Sequence, residues 1–256
     1  MEHVRQVHAD NYGVYGVRKM WRALRREGID IGREQTARLM RLAGLSGKGK
    51  GGAPRTTRTP KGSDVRPDLV NREFRAPSPN RLWVADITYV RTRKGFVYTA
   101  FVTDVYSRRI VGWALSNSMR TEALPLQALN QAIVCAKKTE GLVHHSDHGS
   151  QYVSIVYNER LAEHGIAAST GTVGDSYDNA LAENVNGSYK NELIQTRRWA
   201  DVVEAEIATF EWVNWWNESR LHQSLDYRTP AEVESDESEF WSKSSAQDIM
   251  EIKAHA

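Results

Sequence analysis

The chain has one cysteine, Cys135, in 256 residues. A lone thiol forms neither an internal disulfide nor a cysteine-built zinc site, so the fold must stand without cross-links and suits a reducing cytoplasm. No long apolar run occurs and the mean hydropathy is clearly negative, which excludes a membrane span. The opening residues Met1 to Gln6 lack the apolar stretch of a secretory signal. What remains is ordinary globular composition, 40% hydrophobic and 26% charged, at a length that suits one or two domains.

The net charge of +2 conceals a division. Residues 1–80 hold seventeen Lys and Arg against eight Asp and Glu, a net +9, and the remainder carries −7. A basic front on an acidic body suits contact with a polyanion, nucleic acid first, although a solvated basic surface gives the same count.

Val17, Met20, Trp21 and Leu24 fall at i, i+3, i+4 and i+7, an amphipathic helix that Gly28 stops. A second helix is expected from Arg33 to about Ala43, with Arg33, Arg38 and Arg41 outward. Two short helices about a tight turn read as a helix-turn-helix DNA-binding domain over residues 1–45. Residues 46–75 read as a flexible basic linker. Its Lys48, Lys50, Arg55 and Arg58 are positioned to follow a phosphate backbone.

From residue 76 the pattern becomes α/β. Strands are expected over Leu82–Val90, Phe96–Val105 and Ile110–Leu115, then a helix over Thr121–Lys138. A strand Leu142–His145, a helix Ser150–His164 and a strand Ile166–Ser169 follow. The chain continues through a Gly-rich loop to a helix from Asn179 to about Leu193, and to a last helix, Asp201 to about Asn217, whose aromatics should pack inward. Three strands, helix, strand, helix, strand, helix is the order of a ribonuclease-H-like core, here residues 76–233. An acidic tail, 234–256, is expected to be solvated from about Glu232 onward.

Three acids stand out. Asp86 interrupts a strand that is apolar on both faces, where a carboxylate is costly unless compensated. Asp147 ends the fourth strand, a rigid place from which to present a reactive group. Glu183 turns away from the Leu181/Val185 stripe, and Lys190, seven residues on, lies within about 20° of it on the same helix face. Each alone could be structural; their order raises the stakes.

Asp86-Ile87-Thr88 after a tryptophan, His145-Ser146-Asp147-His148-Gly149-Ser150-Gln151-Tyr152, Asp178-Asn179-Ala180 before Glu183, and 35 residues between Asp147 and Glu183 form a pattern. It resembles the DDE transposases related to retroviral integrases. More narrowly, it resembles the second-reading-frame product of insertion-sequence transposases of the IS-three family. Tyr15-Gly16-Val17-Arg18-Lys19, Arg38 to Leu45, and Asn217, Arg220, His222, Leu225, Tyr227, Thr229 and Pro230 extend the resemblance over about residues 12 to 233.

The resemblance implies a catalytic and metal-binding triad of Asp86, Asp147 and Glu183 holding two Mg²⁺ or Mn²⁺ ions. Hard cations suit oxygen ligands, and a pair of them suits in-line displacement at phosphorus during DNA end cleavage and strand transfer. Asn179, His145 and Lys190 are candidates to support the acids or to touch DNA. The implied partners are element ends and target DNA, further copies of the chain, and a first-reading-frame product joined by frameshifting. The implied location is the bacterial cytoplasm, at the nucleoid when DNA-bound. Because the sequence opens at Met1 without the zipper of that fused partner, a non-catalytic DNA-binding regulator is the alternative. A zinc hydrolase motif in His144-His145-Ser146-Asp147-His148 is a weaker rival, since its first histidine is displaced and the downstream element order differs.

Overall fold

The doubly apolar run around Asp86 does become the central strand. In a computed structural model, which describes residues 1–49, 66–71, 73–120, 122, 124–136, 138–147, 149–171 and 180–237, β1 (Leu82–Thr92) pairs on one side with β2 (Gly95–Asp104) and on the other with β4 (Val143–Ser146). β3 (Ile110–Ser116) extends the antiparallel meander, and β5 (Ala167–Thr170) lies parallel to β4. The sheet order is β3-β2-β1-β4-β5. This is a mixed five-stranded sheet with helices, the expected architecture.

Parallel strands need crossovers, which helices supply. α4 (Pro125–Ala136) and α5 (Ile155–Glu163) cover one face. There Trp83, Ala85, Leu129, Ala132, Tyr157 and Leu161 form one cluster. α4 starts at Pro125 rather than Thr121, because proline donates no N–H and its fixed φ suits the first helical turn. α5 starts at Ile155 rather than Ser150, because the Ser154 side chain accepts from the Tyr157 amide and caps it.

α6 (Ala180–Glu192) and α7 (Val202–Glu218) cover the other face. Trp212, Trp215 and Trp216 are buried there as expected, whereas Val203, Ile207 and Phe210 stay exposed. The inward packing expected of the α7 aromatics therefore excludes Phe210.

The front holds three helices: α1 (Glu2–Asp10), which periodicity did not reveal, α2 (Val17–Arg26) and α3 (Arg33–Leu42). Val4, Val7, Met20, Leu24 and Met40 share one buried cluster with Trp212, Trp215 and Leu221. The Tyr15 hydroxyl accepts from the Leu221 amide at 2.7 Å, and the Trp215 indole donates to Asn11 at 3.1 Å. At the end of α6, Glu192 makes a two-pronged buried pair with Arg220, whose guanidinium also stacks over Trp216.

Two expectations need correction. The presumed flexible stretch is anchored at both described ends: the Lys48 amide donates to the Val14 carbonyl, and the Leu69 amide donates to Ser169. Val70 is buried, and Phe74 meets His145 edge-on. The tail is also partly held to the body where it begins. Residues 230–237 are helical, Glu232 pairs with Arg26, and Glu234 is held by Ser107 and Arg109. In each case a partner distant in sequence satisfies groups that local composition marked as solvent-facing.

The tightest approach in the sheet is at Gly112, where a Cβ would meet the Ala128 carbonyl and lie 2.9 Å from the Ala132 Cβ. Gly112→Ala should therefore push α4 off β3 and cost roughly 1–3 kcal/mol. In a thermal melt this is a drop of about 2–4 °C per kcal/mol at this chain length. An unchanged melt would mean that α4 shifts freely.

Candidate functional site

β4 accompanies β1 only from Leu82 to Ala85. The next residue is Asp86, so the carboxylate emerges where the parallel neighbour has ended and the strand edge opens. Alternation puts Asp86 on the α6 face with Val84 and Thr88. The Asn186 side chain of α6 donates to Asp86 Oδ2 at 2.8 Å, and the Ile87 amide donates to Oδ1 at 2.8 Å.

Asp147 follows the last residue of β4. Its Oδ1 accepts from the Gly149 amide at 2.9 Å, an Asx turn that bends the chain away from the sheet. Arg66 braces this end of β4, donating to Ser146 Oγ at 2.9 Å and to the Asp147 carbonyl at 3.1 Å. Glu183 sits exposed in the first turn of α6, where a carboxylate suits the positive end of the helix dipole.

The electrostatics tie these acids together. Burial, then the charge of Asp147, and more weakly that of Glu183, push the Asp86 pKa up to about 7, against the two hydrogen bonds that favour its ionised form. A second interior acid shows the contrast. Asp104 is fully buried, yet it accepts from the amides of Asn80 and Ser107 and from the Ser107 hydroxyl, and it closes the turn between β2 and β3. Asp104 is structural by its bonds; Asp86 faces like charges.

The three acids are not drawn into a finished cage. Among the described residues, no group of three His, Cys, Asp or Glu side chains is close enough to hold a metal ion. Asp86 feels the charge of Asp147 more strongly than that of Glu183. A carboxyl pushed up by neighbouring acids fits a site that gains from a cation, and Asp86, Asp147 and Glu183 are the donors present for it.

Lys190 lies half-buried with its ammonium 4.6 Å from the centre of the Tyr89 ring. Burial lowers its pKa while the charge of Asp86 opposes this, so the lysine borders the acidic site. His145 does not face outward. It is buried, bonded to Ser169 at 2.9 Å and packed on Phe74, so its expected contact with DNA is corrected to a brace within the β4–β5 edge. Lys48 reaches the Asn191 carbonyl at 3.5 Å. Arg33, Arg38 and Arg41 are exposed along α3. Asn179, Lys50, Arg55 and Arg58 lie outside the described residues.

Sequence reasoning missed Asn186, Arg66 and Tyr152. Asn186 was findable, three residues beyond Glu183 on α6. Arg66 sits in a stretch with no periodicity, and nothing local announces its reach across 80 residues to Ser146. Tyr152 is buried with its hydroxyl unpartnered among the described residues, and burial first, then Tyr157 and the charges of Asp86 and Asp147, push its pKa up.

This fold and site define a protein of the ribonuclease-H-like integrase class. An integrase core domain family matches residues 76–176, a second integrase core family matches 164–230, and an HTH-like domain family matches 1–51. The chain is 51% identical over 241 residues to a putative transposase for insertion sequence element IS986/IS6110 of Mycobacterium tuberculosis, covering 91% of this chain and 86% of that protein. It is also 51% identical over 231 residues to the transposase for IS629 of Shigella sonnei, covering 90% and 77%. Among solved structures, a simian T-cell lymphotropic virus intasome shares the fold at a TM-score of 0.52 and 13% identity, covering 90% of this chain and 74% of that one. The chain belongs to the insertion-sequence transposases of the integrase superfamily, enzymes of DNA strand cleavage and transfer.

An acid whose folded pKa lies above its ordinary 3.8 favours folding most below that value, and the benefit is lost as pH rises through about 7. Asp86→Asn should therefore melt above the wild type at about pH 8 in chelator, by a few degrees, with the gap closing near pH 4. A gap that is constant with pH would show that Asp86 is not electrostatically stressed.

Proposed function

We propose that Asp86, Asp147 and Glu183 are the catalytic carboxylates of this transposase and that together they hold two Mg²⁺ or Mn²⁺ ions. The raised pKa of Asp86, driven by burial and by Asp147, is the observation that supports this most. When bound, such ions offset phosphate charge and make a water or a 3′-hydroxyl a better nucleophile. Asn186 and the Ile87 amide hold both oxygens of Asp86, fixing how it faces the phosphodiester. Arg66 holds the end of β4 and so sets the direction in which Asp147 points. Lys190, poised on Tyr89 beside Asp86, neutralises the phosphate of the incoming strand. No protein nucleophile is needed.

Glu183 closes on the other two acids when DNA and cations arrive, since each carboxylate added to a metal-free site adds repulsion. We assign the exposed arginines of α3, Arg33, Arg38 and Arg41, to DNA backbone or groove contact, with Asn179, Lys50, Arg55 and Arg58 as further contacts. The working enzyme holds more than one copy of the chain and is fused by frameshifting to a first-reading-frame product. A purely regulatory DNA-binding role lacks a reason for a stressed acid at a strand end.

Asp86→Asn, Asp147→Asn and Glu183→Gln should each lower cation-dependent joining of pre-nicked element ends by orders of magnitude while the fold persists by circular dichroism. Full joining by any of the three would remove that residue from the triad. Adding Mg²⁺ or Mn²⁺ should raise the wild-type melting temperature and leave that of Asp86→Asn unmoved.

Arg38→Ala and Arg41→Ala should each reduce the salt slope of DNA binding by about one. A slope unaltered in both variants would place α3 outside the interface.

A further inference from the structure

Beyond Asp86, β1 continues without β4 beside it, and past Tyr98, where β3 ends, β1 and β2 run on as a short two-stranded arm that turns at Gly95. The register sets Arg91 opposite Phe96 and Tyr89 opposite Tyr98, so these four side chains share one face of the sheet. That face is the one α4 covers further back; Tyr98 still packs against that core, and beyond it Arg91 and Phe96 are exposed. Phe96 is 51% exposed although it is a large apolar residue in a strand. Its ring meets Tyr89 edge-on at 5.6 Å, and the Arg91 guanidinium lies 5.9 Å from its centre. Lys190 reaches around the free edge of β1 to sit over Tyr89 at 4.6 Å.

The surrounding cations behave differently. Lys94 is tied to Asp201 at 2.9 Å, and Arg197 pairs with Glu204 at 3.3 Å while also lying over Trp199, whereas Arg91 and Lys190 hold their charge over the rings of this face. Aromatic rings interleaved with such cations match a nucleic-acid strand: every base offers a π-face, and every phosphate offers a charge. Core packing does not explain a half-exposed phenylalanine flanked in this way. The arm also starts at the acids, with Tyr89 three residues from Asp86, about 10 Å at strand rise.

We propose that Tyr89, Arg91, Phe96 and Tyr98, with Lys190, form a stacking platform for unpaired nucleotides of the DNA strand that enters the acidic site. Phe96 takes a base face, while Arg91 and Lys190 take the flanking phosphates. The inference deepens the transposase reading, on which it rests. It assigns the arm to a strand that has left its duplex, so the enzyme favours DNA ends that are frayed or tailed over paired ones.

The test uses the full chain in chelator, where no cleavage occurs. Two probes of equal duplex length are compared, one blunt and one with a short single-stranded overhang carrying 2-aminopurine. The wild type should bind the tailed probe more tightly and quench its fluorescence. Phe96→Ala should weaken tailed binding by roughly 5- to 100-fold and restore the fluorescence, while blunt binding stays unchanged. Phe96→Tyr should behave as wild type, which separates stacking from loss of fold.

Equal affinity of the wild type for both probes would overturn the platform, as would equal losses on both in Phe96→Ala. Asp86→Asn should bind the tailed probe normally here. Persistent joining by that variant would defeat the triad and leave the overhang result standing.

Discussion

The organisation of this protein depends on where β4 stops. Four residues of β4 escort β1 as far as Ala85, and Asp86 is the first position beyond. One residue earlier, a carboxylate would lie beneath a paired neighbour; four later, at Val90, it would lie in the apolar cluster with Val185 and Tyr189 of α6. The termination point gives the acid a buried root, an open edge, and Asp147 close by, because Asp147 is where β4 itself runs out.

The contrast between the two interior aspartates shows how such a site differs from ordinary structure. Asp104 is surrounded by donors and closes a turn. Asp86 has two donors but also feels Asp147 and Glu183, and that repulsion keeps its ionised form expensive. Burial alone does not separate the two. Burial raises the pKa of both, and at Asp86 the charges of Asp147 and Glu183 add to it.

Much of the core was legible because its signals are local. Two apolar faces around Asp86 announced a central strand, and helix periodicity placed α2, α3 and α7 within a residue or two. The three acids were singled out by their order and setting, and the structure places Asp86 and Asp147 where β1 and β4 part company. What escaped reading was set by distant partners. Arg66 is fixed by Ser146, Lys48 by Asn191, and Glu232 by Arg26, and none of these has a short-range signature. α1 escaped because its buried valines, Val4 and Val7, make only one short row. His145 was open to two readings, support for the acids or contact with DNA, and its burial against Ser169, which no local signal announces, removes the second.

The shared core of the front helices and α7 carries a consequence for re-engineering. Tyr15 grips the backbone at Leu221, Asn11 grips Trp215, and Arg220 reaches back to Glu192 at the foot of α6. The front helices are thus keyed into the helix that bears Glu183. Grafting them from a relative to redirect element choice would transplant only half of a lock, unless the matching α7 surface and the Arg220 segment travelled with them.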